Sequence, residues 1–357
     1  NLIGNINVGS GGVNRNLIIN GMMQINQRGD STGKTSGGYY ACDRFKSDIY
    51  GVGTWSIAQS TSVPTGKGFK NSVKLDCTTA NSSLGTDAYF IYQQRIEGHT
   101  LQQLAFGTSD AKPIVLSFYV KSNKTGTYHV GLFNVDNSRM NGRTYTIDSA
   151  NTWEFKSISF DADTSAGFTD DNTHGLMLEF WLAGGTDYTS GSTPTAWTAS
   201  NNTIRAGGLA VNLADSTDNE WLLTGVQLEI GQNPTEFEHE PLERTLVKCR
   251  RYYIRKVTGN NYGALGVGGH IIGGTTAMVM VPLPVEMRAE GTLTSGGSLR
   301  TTAPNADTVT VALGYGSTHI PQIVATDSGG FTDGGGNGLT FVGNNDNDAY
   351  IAFDAEL

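Results

Sequence analysis

The chain has 357 residues, of which 38% are hydrophobic and 16% are charged, and it contains 47 glycines against 9 prolines. This composition is typical of a β protein with many turns, and not of a helical enzyme or a disordered tail. The length predicts two domains. The formal net charge is −9 and the largest basic cluster spans only 248–251, so we expect no nucleic-acid partner, which would require a concentrated basic surface.

No apolar run reaches about 18 residues, so we expect no membrane insertion. The first residues lack both the pattern of a signal peptide and an initiator methionine. Either the start was processed or an anchor segment before it is missing. Cys42, Cys77 and Cys249 are widely spaced and include no C-x-x-C pair, which predicts buried thiols in a protein made in a reducing cytoplasm.

The first domain is predicted over 16–238, after a flexible N-terminal arm over 1–15. Short apolar and aromatic runs are separated by turn signals, and the run at 152–160 alternates as a sheet with one solvated face does. This pattern predicts an all-β, jelly-roll-type sandwich. The predicted strands are 17–19, 22–25, 55–58, 72–75, 89–96, 113–120, 126–133, 152–160, 175–182 and 221–230.

One short linking helix is predicted over 239–255, with Pro241 in its first turn, acidic residues near its start and basic residues near its end. Apolar side chains recur there at spacings of four, three and four. They form either a short coiled-coil seam that packs three copies about an axis, or a stripe that packs on its own sandwich. The residues of this predicted oligomer seam are Leu242, Leu246, Cys249 and Tyr253.

A smaller C-terminal β-sandwich is predicted over 256–357. Its Gly-rich loops leave a thin core, so we expect oligomerisation to compensate. The predicted strands are 262–267, 275–283, 289–295, 308–315, 322–326 and 350–353.

Several short segments along the chain, taken together in their order, carry a resemblance to a known family. They read NLIINGMMQINQRG at 16–29, CDRF at 42–45, QQRIE at 93–97, LSFYVKS at 116–122, WLLTGVQLEIG at 221–231, CRRYY at 249–253, VPLPVEMRA at 281–289 and AFDAEL at 352–357. This series resembles modular tail-fibre and virion structural proteins of tailed bacteriophages, and the resemblance covers nearly the whole chain.

The resemblance implies a non-enzymatic particle component with a sandwich similar to carbohydrate-binding modules, followed by a tip domain and usually assembled as a homotrimer. It implies as partners the chain itself, other virion proteins and host surface polysaccharide. The expected location is the tail or the exterior of the virion. The chain departs from the family at its N-terminus, which is too short to contain a recognisable tail-anchoring domain.

No nucleophile or metal-binding motif occurs, and the six histidines are scattered along the chain. A glycosidase needs only two carboxylates brought together by the fold, and Glu154 with Glu179 is one such pair. Because strand carboxylates are more often solvated, we expect no enzyme activity and no catalytic residue.

Glycan binding requires aromatic platforms for the apolar faces of sugar rings and polar side chains for their hydroxyls. Alternating strands favour core positions for Trp153 and Trp221, and leave Trp55 and Trp197 open. Aromatic residues near strand ends or loops are Tyr39, Tyr40, Trp55, Tyr92, Trp181, Tyr188 and Trp197, with Gln94, Arg95, Asn134, Asn137 and Arg139 as polar partners. The glycan-binding candidates chosen from these are Tyr39, Tyr40, Trp55, Tyr92, Arg95, Asn137 and Trp197.

Calcium is the only cofactor that the sequence leaves open, because two acidic clusters offer oxygen ligands. Turn chemistry explains both clusters equally well, and neither fits a calcium loop of known spacing. Glu229 lies between aliphatic residues, which predicts a buried, hydrogen-bonded structural role. The two clusters are Asp161, Asp163, Asp170 and Asp171, and Asn344, Asp346 and Asp348.

These observations favour a trimeric tail fibre or receptor-binding protein that contacts host surface glycans. The alternative is a capsid decoration or tail-knob subunit with a purely architectural role. A third hypothesis is the binding module of a secreted glycan-degrading enzyme.

Overall fold

The computed structural model describes residues 15–301, 309–327, 331 and 339–357. Of the predicted arm, only Arg15 is among them, and the rest of 1–15 lies outside the described residues. The chain divides into two compact units, Asn1–Thr245 and Leu246–Leu357, a division that falls inside the predicted linking helix. In the described ranges, no helix is long and apolar enough to cross a membrane.

The first unit is built from two antiparallel sheets, as the alternating sequence predicts. Two single helical turns, α1 (Gly98–Leu101) and α2 (Thr186–Thr189), lie in its loops. Its strands are β1 Ser31–Lys34, β2 Gly38–Tyr39, β3 Phe45–Tyr50, β4 Thr54–Ser60, β5 Ser72–Thr79, β6 Tyr89–Glu97, β7 Ile114–Ser122, β8 Gly126–Asn134, β9 Arg139–Ile147, β10 Glu154–Phe160, β11 His174–Gly184, β12 Thr198–Ala199 and β13 Glu220–Ile230.

The strand order is β1-β4-β5-β13-β7-β10 in the first sheet and β12-β9-β8-β11-β6-β3-β2 in the second. Large aromatic side chains join the inner faces of the two sheets. The rings of Trp55 and Phe90 lie 4.6 Å apart, and Phe180 lies 5.1 Å from Phe118 and 5.8 Å from Trp221. The predicted all-β sandwich is confirmed, and so is the core position of Trp221, which is fully buried.

Two predicted strands, 17–19 and 22–25, are wrong, because this segment is a series of turns. The side chain of Asn20 accepts a hydrogen bond from the amide of Ile25 and donates one to its carbonyl, at 3.0 and 2.9 Å. Such side-chain bonds to the backbone compete with sheet pairing. The core position predicted for Trp153 is also wrong: it is half-buried, before β10, with Lys121 Nζ 5.9 Å from the ring centroid.

The helix after the sandwich, α3, spans only Leu242–Arg250. The predicted seam is therefore not one helical stripe. Leu242 is 50% exposed and Cys249 is buried, while Tyr253 begins strand β14 (Tyr253–Val257), where it pairs with Asp354. Backbone pairing in the second unit ends the helix before the fourth seam position.

The second unit is a smaller β domain, as predicted. Its sheets have the order β14-β22-β17 and β18-β21-β15-β16-β20-β19, around a core that includes Leu265, Val279, Ile323, Phe341 and Phe353. The cysteines in both units are free and buried, as predicted. The remaining strands are β15 Ala264–Gly273, β16 Thr276–Met280, β17 Thr292–Gly296, β18 Leu299–Thr301, β19 Thr310–Tyr315, β20 Gln322–Thr326, β21 Leu339–Gly343 and β22 Tyr350–Asp354.

Candidate functional site

The structure does not bring the seven glycan-binding candidates together, and it removes two of them. Trp55 and Tyr92 are both 0% exposed. Trp55 donates its indole N–H to the carbonyl of Val52 at 2.9 Å, and Tyr92 stacks on Phe45 with ring centroids 5.2 Å apart. Because both rings face the interior of the sandwich, neither can serve as a platform, and the sequence assignment is corrected for these two residues.

Tyr39 and Tyr40 lie at the edge of the second sheet, where cationic side chains cover their rings. Arg28 lies 5.3 Å from the ring centroid of Tyr39, and Lys34 Nζ lies 4.7 Å from that of Tyr40. The hydroxyl of Tyr40 donates to the carbonyl of Ser36 at 3.1 Å. These contacts engage both tyrosines in holding the edge strand.

Asn137 and Trp197 both hold the loop that follows β10. Asn137 donates its side-chain amide to the carbonyl of Gly167 at 2.8 Å, and Trp197 donates its indole N–H to the carbonyl of Asp161 at 2.7 Å. Arg95, on β6, is half-buried, and its carbonyl accepts a hydrogen bond from Arg44 at 2.8 Å. Asn137 and Trp197 thus hold the same loop, whereas Arg95 lies on β6 and the two tyrosines lie at the sheet edge.

An open groove of about 520 Å³ lies on the outer face of the first sheet. Its floor is formed by Ser117 and Tyr119 of β7, Phe155 of β10 and Gly225 of β13. The three strands are adjacent, with Tyr119 paired to Phe155 on one side and to Thr224 on the other. Outward-facing side chains of strands that are distant in sequence thus meet in one surface.

Two loop segments make the walls of the groove. The loop between β4 and β5 supplies one wall, and the segment after β13 supplies the other. The wall residues are Gly66, Lys67 and Phe69 from the first segment and Pro234, Thr235, Glu236, Phe237 and His239 from the second.

Aromatic rings form a continuous surface from one end of the groove to the other. The ring of Phe69 lies 5.6 Å from Tyr119, 5.0 Å from Phe237 and 5.2 Å from His239. Tyr119 lies 5.1 Å from Phe155, whose side chain is 49% exposed. The row of rings is therefore extended, with exposed rings at its two ends, Phe155 and His239, and the buried ring of Phe69, 7% exposed, between them.

Gly225 allows Phe69 to pack onto the floor. Its φ is +63°, at an irregularity of the β13–β7 pairing, and a Cβ there would lie 2.6 Å from the Phe69 ring. A bulged glycine is the residue that tolerates both this backbone and this contact.

Polar groups are placed among the rings. Within the described part of the chain, no hydrogen-bond partner engages the hydroxyls of Ser117 and Tyr119, the ammonium of Lys67 or the carboxylate of Glu236. The groove therefore combines apolar ring faces with donors and acceptors that a ligand can use.

Buried polar side chains fix the second wall against the sandwich. Glu229, which is 2% exposed, accepts hydrogen bonds from the Thr235 amide at 2.8 Å and the Thr235 hydroxyl at 2.7 Å. Gln227 accepts one from the amide of Glu238 at 2.8 Å. The structural role predicted for Glu229 is confirmed, and its effect is to hold the groove wall.

The groove residues were missed by the sequence reasoning. The one usable signal was the alternation of β7 and β10, which points Tyr119 and Phe155 away from the core residues Phe118 and Phe160. That these two strands are neighbours depends on sheet order, which the alternation does not specify.

The acidic clusters serve the fold. Asp163 accepts two hydrogen bonds from Arg139, at 2.7 and 3.2 Å. Asp346 accepts the amides of Ser298 and Asp348 at 2.8 and 2.9 Å, and these bonds lower the pKa of its carboxyl. Among the residues that the structure describes, no group of three or more His, Cys, Asp or Glu side chains is arranged to hold a metal ion.

No protein-family model matches the sequence, and a search of curated proteins gives no match. Among solved structures, the chain is similar to the enzymatically active domain of tailspike protein 4 of bacteriophage CBA120, with 11% identity, a TM-score of 0.32, and coverage of 61% of this chain but only 22% of the tailspike. A CBM4 structure gives 11% identity and a TM-score of 0.31, over 59% of this chain and 98% of its own.

A family 11 carbohydrate-binding module from Clostridium thermocellum gives 12% identity and a TM-score of 0.28, over 58% of this chain and 98% of the module. At these scores the similarities support no conclusion about ligand or activity.

Proposed function

We propose that this protein binds glycans through the groove on the first sheet, as a trimeric tail fibre or receptor-binding protein on the exterior of a bacteriophage particle that contacts host surface polysaccharide. The observation that carries the glycan part is the continuous row of rings from Phe155 to His239 in an open groove. The phage part is supported by the ordered sequence segments that resemble tail-fibre proteins.

The size and chemistry of the groove suit a short stretch of sugar units. Its volume of about 520 Å³ lies within the range of roughly 300–1,000 Å³ for small-ligand sites. Exposed ring faces bind the apolar C–H faces of pyranose rings, and hydroxyl, ammonium and carboxylate groups bond the sugar hydroxyls. An open groove also admits a chain that continues beyond the site at both ends.

Binding without catalysis is the activity that the groove lining favours. A glycosidase usually places two carboxyl groups on either side of the bond that is cleaved. Among the described residues that line the groove, one carries a carboxylate, Glu236. We therefore propose a binding protein rather than an enzyme, and no cofactor enters this function.

The first test is binding of the full chain to polysaccharide purified from envelopes of candidate hosts, measured by affinity electrophoresis. We expect Phe155→Ala to bind roughly tenfold more weakly, because it removes one ring of the platform. The matched control is Tyr315→Ala, which removes another exposed strand aromatic, 68% exposed, in the second unit. If Phe155→Ala binds host polysaccharide as tightly as wild type, the groove is not the site.

Assembly and position on the particle are tested separately. We expect light scattering at several concentrations to give the mass of a trimer, as the resemblance to tail-fibre proteins implies. In a trimer, three weak sites on one axis gain avidity without new contacts. A monomer at every concentration would remove the trimer from the proposal. Labelling of intact particles with an antibody should mark the tail, whereas labelling over the whole shell would favour the capsid-decoration alternative.

A further inference from the structure

Three tyrosines form a second aromatic surface, the tyrosine patch of Tyr50, Tyr89 and Tyr188, on the outer face of the second sheet. Tyr50 and Tyr89 are directly paired across β3 and β6, with ring centroids 5.9 Å apart and planes inclined by 29°. Tyr188, in α2, lies 5.5 Å from Tyr89 at 83°. Tyr50 is 52% exposed, so the stacked pair presents a ring face to solvent.

The patch lies on a rigid base. Trp181, fully buried, is 5.3 Å from the ring of Tyr188, and Trp181 forms a small buried cluster with Ile91 and Ala206. The carbonyl of Tyr188 accepts the amide of Ala206 at 2.9 Å. A platform fixed in this way loses little conformational freedom when a ligand binds.

The phenol hydroxyls of the patch are available for hydrogen bonding. In the described ranges none of the three hydroxyls has a protein partner. Burial raises the pKa values of Tyr89 and Tyr188, so both hydroxyls stay protonated and can donate at neutral pH. A flat ring surface edged by free hydroxyls is the arrangement that sugar rings require.

Two of the charged groups beside the patch, Asp48 and Arg205, have counter-charges. Asp48 is bound by Lys46 at 3.3 Å and by the Gln93 amide at 3.0 Å. Arg205 is bound by the buried carboxylate of Glu179, with the Arg205 Nε at 3.1 Å. Asp87 and Asp187 lie near Tyr188, where they add to the effect of burial in raising the pKa of its hydroxyl, and among the described residues no cation pairs with either carboxylate. Because the unpaired charges beside the patch are negative, the surface favours an uncharged ligand over an acidic one.

We propose that the tyrosine patch is a second carbohydrate-binding site, which takes a neutral pyranose ring against the faces of Tyr50 and Tyr89. Tyr50 and Tyr89 alternate with the core residues Ile49 and Phe90, so the patch and the groove lie on opposite faces of the sandwich. The inference rests on the proposed function in expecting a glycan, but it uses none of the groove residues.

The test is affinity electrophoresis of the full chain through gels that contain dextran, galactomannan or β-glucan, with alginate as an acidic polysaccharide. We expect Tyr50→Ala to weaken retardation by at least one neutral polysaccharide roughly tenfold, and Tyr50→Phe, which keeps the ring, to lose much less. Because Tyr50 is exposed, we expect both variants to stay folded, and thermal denaturation of each variant followed by circular dichroism checks this.

The double variant of Tyr50→Ala with Phe155→Ala separates this site from the groove. We expect the fold-loss of retardation in the double variant to equal the product of the fold-losses in the two single variants, because distant sites act independently. If Tyr50→Ala binds as wild type while Phe155→Ala is impaired, the tyrosine patch is overturned and the groove stands. The reverse result supports the patch and removes the groove. Retardation of wild type by none of the neutral gels, or by alginate alone, overturns the patch.

Discussion

Glu229 and Thr235 join the floor of the groove to its wall through a single buried carboxylate. Glu229 lies on β13, and it accepts the Thr235 amide at 2.8 Å and the Thr235 hydroxyl at 2.7 Å. The side-chain amide of Gln227 donates to the same carboxylate at 2.8 Å. The two amides can only donate, while the Thr235 hydroxyl can also accept. The carboxylate of Glu229 accepts from all three groups and lies 3.6 Å from Arg15 Nε.

Replacing Glu229 by glutamine should therefore destabilise the protein despite the similar shape. Glutamine keeps one acceptor oxygen but loses the negative charge, so the bonds from Thr235 and Gln227 become neutral ones and the ion pair with Arg15 is lost. A hydrogen bond to a charged group contributes about 1.5–3 kcal/mol. We expect the free energy of unfolding in urea to fall by that amount, and glycan binding to weaken because the wall loses its anchor. Glu243→Gln, at an exposed position of α3, is the matched control. Unchanged unfolding of Glu229→Gln would contradict the anchoring role.

Gly225→Ala should disturb the groove directly. The new Cβ would lie 2.6 Å from the Phe69 ring on a backbone with φ of +63°, so both steric contact and strain oppose it. Gly29→Ala is the control, because Gly29 has φ of +79° but nothing within 4 Å of the added carbon. We expect both variants to lose about 1 kcal/mol from strain. Only Gly225→Ala should also lose glycan binding, and equal binding by the two variants would argue against the contact.

The sandwich could be predicted because some of its strands, such as β10, alternate between the core and the solvent, although β11 and β13 are buried along almost their whole length. In β7, Phe118 packs in the core and Tyr119 faces the groove, and this period of two is visible in the sequence. The segment 16–29 misled the prediction because its aliphatic residues resemble a strand. Its asparagines bind backbone groups instead, and hydropathy does not register that competition.

The groove could not be predicted because its rings come from three strands and two loops. β13 lies between β5 and β7 in the first sheet, although it follows them by a long stretch of chain. The prediction of Trp55 as a glycan-binding residue was wrong for a related reason. Its ring is covered by the opposite sheet, where the ring of Phe90 lies 4.6 Å away. Sheet order decides which aromatic residues stay outside.

Gln94 should prove to be structural although it belongs to a motif of the ordered segments. Its side chain, 1% exposed, accepts the amide of Ile19 and donates to the carbonyl of Ile19, both at 2.8 Å. Gln94→Ala leaves both backbone groups unpaired, so we expect a loss of about 1–3 kcal/mol in the free energy of unfolding. Glycan binding by the folded fraction should not change. Reduced binding with unaltered stability would instead place Gln94 at a ligand site.

His129 should make the protein sensitive to mild acid. The ring is fully buried on β8, its Nδ1 lies 2.9 Å from the carbonyl of Gly207, and Nε2 has no partner among the described residues. Burial lowers the pKa of His129 to about 4. Because the folded state favours the neutral ring, stability is fully present above the unfolded pKa of about 6.5 and is lost as the pH falls towards 4.

The size of this effect follows from the displacement of the pKa. It corresponds to about 3 kcal/mol between pH 7 and pH 4. We expect His129→Gln to be less stable than wild type at pH 7, yet to lose clearly less stability on acidification, as measured by urea unfolding at pH 7, 6, 5 and 4.5. His270→Gln, at an exposed position, is the matched control and should keep the wild-type slope, because it removes no buried ring. A His129→Gln curve parallel to wild type would show that other groups carry the acid response.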